Sequence, residues 1–232
     1  MLSDEISIIL PTKDHEKFIY ENIENILFFC EENFTEFEIL IISNGSSDEN
    51  MQLIHNIAGS NIKHFKYTQS GKGFAVKKGL MNSKFKYSLI CDSDFSVEIS
   101  NLKNFFINEE RLSSFVIGSR KLKDSKVEST PIRRIISGGI FTFLTKNYLD
   151  IRVSDTQCGF KLIDNSKFKN AVNFTSNNFF YDIELFLLAK QSNISVTEVP
   201  VTYTHNKESS IRLFSDSVNM LKQIFTINKI YK

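Results

Sequence analysis

In the first hundred residues, short β-rich runs alternate with helical patterns, and this alternation constrains the chain more than any other feature. Ile6-Ser7-Ile8-Ile9-Leu10 reads as a buried strand closed by Pro11. From about Phe18 to Glu31, Ile19, Ile23, Ile26, Leu27 and Cys30 recur at helical spacing. Glu38-Ile39-Leu40-Ile41-Ile42 reads as a second strand that runs into the turn-prone Ser43-Asn44-Gly45-Ser46-Ser47-Asp48, where Ser47 or Asp48 can cap the next helix. A strand over Ile62–Tyr67, a glycine-rich helix start at Gly71-Lys72-Gly73 and a strand over Tyr87–Cys91 complete a β-α-β-α-β-α-β order. Right-handed crossovers follow, so the expected class is α/β, a mostly parallel central sheet flanked by helices on both faces. Ligands on such sheets gather beyond the carboxyl ends of the strands, and Pro11, Asn44-Gly45 and Asp92-Ser93-Asp94 all fall there.

Beyond Asp94 the pattern loosens. The expected elements are a helix near Leu102–Phe106, a strand at Ser114–Ile117 ending in Gly118-Ser119-Arg120, and a polar loop, Lys121–Thr130. A helix from about Pro131 to Tyr148 follows, then a loop over Asp155–Phe160 and a short strand, Lys161–Ile163. A helix at Asp182–Gln191, a strand at Val196–Tyr203 and a last helix at Ile211–Ile230 close the chain. With no repeat or low-complexity linker, one domain over residues 1–208 is expected, followed by an amphipathic C-terminal helix over 209–232. Ile211, Phe214, Val218, Leu221, Ile224 and Phe225 form its apolar stripe, with Lys222, Lys229 and Lys232 nearby. That stripe could lie on a membrane surface, pack on its own domain or contact a second copy in a homodimer.

Composition narrows the classes. The 232 residues carry 28 Lys plus Arg against 27 Asp plus Glu, which argues against a general nucleic-acid coat or a polybasic anchor. Three widely spaced cysteines show neither zinc spacing nor a disulfide framework, so a reducing cytoplasm is expected. The N-terminus lacks the basic start and long apolar centre of a signal peptide. No stretch reaches the ~18 apolar residues of a spanning helix. The expected location is therefore the cytoplasm, or the cytoplasmic face of a membrane.

Asp92 and Asp94 flank one residue at a strand end, so both carboxylates can face one divalent cation; they could also be two solvated loop acids. Gly71-Lys72-Gly73 could bring a cation and backbone N–H groups to an anion, or be an exposed turn. The Asn44–Asp48 turn could line a nucleoside pocket as well as cap a helix. Arg120, Arg133 and Arg134 suit phosphate oxygens, or are surface charge. Asp182 and Glu184 open a helix, where acids favour the dipole, and either could act as a general base. Being two apart on a helix they point different ways, so a joint role is not expected.

Together these residues resemble a known family. The Pro11-Thr12 strand end, the Asn44–Asp48 turn, Gly71-Lys72-Gly73-Phe74-Ala75 with Gly79, and Asp92-Ser93-Asp94 are similar to the inverting family 2 glycosyltransferases of GT-A fold. Several later segments resemble that family's dolichyl-phosphate β-glucosyltransferase branch and its mannosyl relatives. They are Gly118-Ser119-Arg120, Arg133–Ser137, Asp155-Thr156-Gln157-Cys158-Gly159-Phe160-Lys161, Phe180–Leu185 and Val199-Pro200-Val201. The resemblance implies Mg²⁺ or Mn²⁺ on Asp92 and Asp94, beside a nucleotide-sugar diphosphate. It implies that Pro11, Thr12, Glu16, Ser43, Asn44, Gly45, Lys72, Ser93, Gln157 and Arg212 border the donor, and that Arg120, Arg133 and Ser137 hold an acceptor phosphate. This chain departs from the family's usual pattern in three places. Ser43-Asn44 stands for an acid pair, Asp14-His15-Glu16 for Asn-Glu, and Glu208-Ser209-Ser210 for Gly-Ser-Lys, where Arg212 could replace the cation. The eukaryotic branch also carries a membrane helix that is not expected here.

The expected function is metal-dependent, inverting transfer of a hexose, UDP-glucose favoured as donor, to a polyprenyl or dolichyl phosphate. A glycan hydroxyl in capsule or lipopolysaccharide assembly is the alternative acceptor; it would need a base from Asp155, Asp182 or Glu184. A non-catalytic nucleotide-sugar-binding subunit is the third reading.

Overall fold

Period-two burial along the strands builds the centre of the protein. On β1 (Ser3–Thr12), Ile6, Ile8 and Leu10 enter one apolar layer and Ile9 the other. β2 (Phe34–Asn44) repeats the split, with Ile39 and Ile41 against Leu40 and Ile42, as does β4 (Tyr87–Cys91), with Leu89 and Cys91 against Ile90. Each fully buried Ile or Leu contributes about 1.5–3 kcal/mol, so a sheet apolar on both faces requires cover on both. One layer is covered by α1 (Glu16–Asn33), through Ile19, Ile23, Ile26 and Cys30, and by α4 (Leu102–Phe105). The other is covered by α3 (Lys72–Asn82), through Ala75, Val76 and Leu80, and by α6 (Tyr181–Gln191). The remaining helices are α2 (Asp48–His55), which Ser47 caps through its hydroxyl to the Asn50 N–H at 3.4 Å, and α5 (Ile132–Leu149). This computed structural model describes residues 2–55, 57, 59–106, 113–128, 132–204, 223, 224 and 227, with backbone alone at 48, 49, 51, 55, 132–138, 140 and 141.

The sheet has seven strands in the order β3-β2-β1-β4-β7-β5-β8, where β3 is Ile62–Tyr67, β5 Phe115–Ser119, β7 Phe160–Asp164 and β8 Val196–Pro200. All run parallel except β7, which is antiparallel to both β4 and β5. The mostly parallel sheet expected from the sequence is present, and the reversed strand decides where function can sit. Because β7 begins opposite the end of β4, with Cys91 paired to Phe160, the loop leading into β7 lands beside Asp92.

Two local expectations change. The run Val196–Tyr203 is two strands: β8 ends at Pro200, and β9 (Thr202–Thr204) joins a separate pair with β6 (Lys126–Glu128). Pro200 lacks an N–H for a continuing ladder, and buried Val201 makes the corner, its carbonyl accepting the Lys126 N–H at 3.1 Å. β6 lies in the segment expected to be all loop; its three residues are exposed, so no apolar alternation marked it. The helix expected near Leu102–Phe106 is present as α4, preceded by a 3₁₀ turn (Ile99–Asn101). Of the expected C-terminal helix, Ile224 and Ile227 are buried in the core, and most of the stretch, with Arg212, lies outside the described residues. No helix among the described residues is long and apolar enough to cross a membrane.

Candidate active site

The acid pair sits on a tight turn directly after β4. Phe95 adopts a left-handed φ of 49° and donates its N–H to the Asp92 carbonyl (3.1 Å), while the Ser96 N–H caps Asp94 Oδ1 at 3.0 Å. Ser93 is buried, whereas Asp92 and Asp94 are half-buried on either side of it. Asp92 donates its N–H to the Gly159 carbonyl at 3.0 Å. A Cβ on Gly159 would lie 2.0 Å from Asp92 Oδ2, so only glycine lets the carboxylate rest there. On its other side, Lys72 Nζ approaches Asp92 Oδ1 at 2.6 Å.

Lys72 opens α3, and the backbone holds it from below. The Phe74 N–H donates to the Asn177 carbonyl (3.2 Å), and a Cβ on Gly73 would fall 2.2 Å from the Ser176 carbonyl oxygen. Fully buried Glu184 secures that loop, accepting the N–H groups of Thr175 (2.6 Å) and Ser176 (2.9 Å) and both hydroxyls. Burial alone would lower the Lys72 pKa, but Asp92, Asp182 and Asp94 outweigh it and raise it, so the side chain stays a cation. The Phe179 ring lies 5.6 Å from its ammonium.

The ends of β1 and β2 form a second polar corner. Ser43, paired in register with Thr12, donates its hydroxyl to Glu16 Oε1 at 2.9 Å. That hydroxyl has one proton, so the 2.8 Å contact with His64 Nε2 is donated by the imidazole. Pro11, Thr12, Glu16, Ser43 and Asn44 are all buried, and Gly45, at φ 81°, and Ser46 lie half-buried above them. Asp14 joins the corner to α2 by accepting the Ser47 N–H (2.9 Å) and the Asn50 amide (3.1 Å). The Ser47 bond in particular holds the Asp14 carboxyl below its usual range.

At the end of β5, Arg120 grips Asp155 in a fork, Nε to Oδ2 at 2.7 Å and Nη2 to Oδ1 at 2.9 Å, with the Arg120 N–H adding a third bond at 3.0 Å. Burial works to raise the Asp155 carboxyl, yet the guanidinium holds it at about 2. Glu198 fixes the loop behind it by accepting from the N–H groups of Ser154 (2.9 Å) and Asp155 (3.2 Å). The Tyr203 ring lies 5.2 Å from the Arg120 guanidinium carbon, and half-buried Gln157 donates its N–H to Asp155 at 3.3 Å.

The other expected acids have partners of their own. Asp182 pairs with Lys161 at 2.7 Å, both essentially inaccessible, and Lys161 also donates to the Cys158 carbonyl at 2.5 Å. Asp182 and Glu184 do diverge, as their spacing on a helix requires. Arg133, Arg134 and Ser137 lie on the first turns of α5, and their side chains fall outside the described set. Burial pushes the thiols of Cys30 and Cys158 up to about 12 and raises Cys91 as well, so all three remain neutral.

Asp92, Asp94, Lys72 and the Asp155–Gly159 loop therefore meet at one sheet edge, with Arg120 attached through Asp155. Gly159, Lys161, His64 and Glu198 are given no individual functional role by the sequence. Lys161 did carry a signal, being a charge between Phe160 and Leu162 in a strand. Among the described residues no three His, Cys, Asp or Glu side chains converge on one point. Two carboxylates alone suit Mg²⁺ or Mn²⁺, which keep open positions for substrate phosphate and water.

A mixed, mostly parallel sheet with one reversed strand and helices on both faces is the GT-A arrangement, and solved glycosyltransferases share this fold. Mannosyl-3-phosphoglycerate synthase from Rubrobacter xylanophilus matches at a TM-score of 0.74, covering 97% of this chain and 73% of its own, at 13% identity. Glucosyl-3-phosphoglycerate synthase from Mycobacterium tuberculosis, solved with Mn²⁺, uridine diphosphate and phosphoglyceric acid, matches at 0.71 over 96% and 78%, also at 13% identity. The chain belongs to glycosyl transferase family 2, whose sequence profile it matches over residues 7–172. It is also 29% identical over 245 residues to the dolichyl-phosphate β-glucosyltransferase of Dictyostelium discoideum, covering 97% of this chain and 74% of that one.

Proposed function

We propose that this glycosyltransferase moves glucose from UDP-glucose to a polyprenyl or dolichyl phosphate, with inversion, using a divalent ion held by Asp92 and Asp94. One observation carries the choice of acceptor: each acid that could act as a base is already engaged. Asp155 is held by Arg120, Asp182 by Lys161, and Glu184 by Thr175 and Ser176. A hydroxyl acceptor must lose a proton during attack, whereas a phosphate monoester is already an anionic nucleophile at neutral pH. The similarity to dolichyl-phosphate β-glucosyltransferase along nearly the whole chain supports the same acceptor.

In this reading Asp92 and Asp94 orient the donor diphosphate, and the bound ion supplies charge neutralisation for the leaving group. Lys72 offers a second positive charge on the same side. The corner of Thr12, Glu16, Ser43, Asn44 and Gly45 borders the nucleoside, and Ser93 and Gln157 border the sugar side. Arg120, kept rigid by Asp155, and Arg133 with Ser137 on α5 receive the acceptor phosphate opposite the leaving group. Attack on the far side of the anomeric carbon inverts it, and alignment with charge compensation provides the rate. A lipid acceptor lies at a membrane surface, so peripheral attachment belongs to the same proposal.

The test is a panel of UDP- and GDP-sugars with Mn²⁺ and a short polyprenyl phosphate, assayed for lipid-linked sugar. Product from UDP-glucose, and none from Asp94→Ala, is expected. Elongation of a soluble glycan with no lipid product from any donor would overturn the acceptor assignment.

A further inference from the structure

The ammonium of Lys72 stands 2.6 Å from Asp92 Oδ1, one of the two oxygens through which that carboxylate could hold a divalent ion. This is no loose surface contact. The Lys72 side chain is 18% exposed and that of Asp92 32%. The loop carbonyls of Ser176 and Asn177 press against α3's first turn below, and Gly159 walls Asp92 on the far side. Asp182 and Asp94 also attract Lys72, and Phe179 lies within cation–π range. An Asp92 neutralised in this way attracts a second cation weakly, because the ion must first dislodge a bound positive charge. A diphosphate arriving beside α3 would give Lys72 an anion of its own, and the aspartate would become available to the ion.

We propose that Lys72 is a resident counter-cation for Asp92, which the donor diphosphate draws away, so that the divalent ion and the donor bind as a coupled pair. This rests on the assignment of Asp92 and Asp94 as metal ligands under the proposed function. Reciprocity is required: whatever factor the nucleotide adds to ion affinity, the ion adds to nucleotide affinity.

Mn²⁺ binding to the intact protein, followed by electron paramagnetic resonance of the free ion with and without UDP, tests this without any turnover. The wild-type protein is expected to bind Mn²⁺ weakly alone and more tightly with UDP, within the roughly 5–150-fold span usual for coupled sites. Lys72→Met, which keeps length and bulk but no charge, is expected to bind Mn²⁺ about tenfold more tightly without UDP and to lose most of the UDP effect. Lys72→Arg, retaining a cation, should keep weak binding of Mn²⁺ alone, and thermal melts of both variants verify that they fold. If wild type binds Mn²⁺ tightly without UDP and Lys72→Met matches it, the counter-cation role is wrong while the metal site stands. If neither protein binds Mn²⁺ with or without UDP, the metal assignment falls and this inference falls with it.

Discussion

Gly159 is where one added methyl group separates function from folding. The three atoms nearest its Cβ would be the Asp92 carboxyl group, at 2.0–2.5 Å, and none of these is backbone, so alanine displaces that carboxylate from its place beside Lys72 before it disturbs the chain. Gly159→Ala is therefore expected to leave the melting temperature within a few degrees while lowering transfer about 100-fold, the scale for misplacing a reacting group by an ångström. Steady-state rates and a thermal melt on the same preparation check both halves. Asp155 gives a pH prediction. Its folded pKa, about 2, lies below the ordinary 3.8. The Arg120 pair therefore stabilises the protein fully above about pH 4, on the order of 2 kcal/mol, and that contribution is lost as pH falls toward 2. Urea unfolding from pH 6 to 2.5 should show this acid limb in wild type and a flatter one in Asp155→Asn.

Among the elements, β7 and α6 share an apolar layer and are also bridged by a buried ion pair, Lys161 with Asp182. Removing a single partner leaves a charge stranded, so Lys161→Met is expected to destabilise by about 3–5 kcal/mol, and Lys161→Met/Asp182→Leu to recover much of the loss. Denaturant midpoints for the two variants decide this; equal losses would mean that the pair does not couple the two elements. β1 and β2 were legible in the sequence as runs of branched apolar residues closed by polar punctuation, and the strands expected at Ile62–Tyr67 and Tyr87–Cys91 match residue for residue. β6 and β9 were not, since three-residue edge strands bury little and carry no period. The division at Pro200 could have been suspected from the missing N–H alone.

For the molecule as a whole, local patterns placed Pro11, Asn44-Gly45 and Asp92-Ser93-Asp94 at the carboxyl edge of the sheet, because each adjoins its own strand end. What they could not supply was the direction of β7, a matter of pairing between residues some seventy positions apart. That reversal sets Gly159 against Asp92 and links Arg120 to the site through Asp155. The engagement of Asp155, Asp182 and Glu184 was equally hidden, since each partner is distant in sequence or lies across a loop. Ser43 stands where the resemblance expects an acid, and the carboxylate at that corner is contributed by Glu16 from α1. The central claim, an ion on Asp92 and Asp94 bearing the charge of the departing nucleotide, is met most directly by crystals soaked in MnCl₂ and UDP-glucose. An anomalous manganese peak within coordinating distance of Asp94 and a diphosphate oxygen is the expected result. A well-ordered nucleotide with no manganese at either aspartate would contradict it.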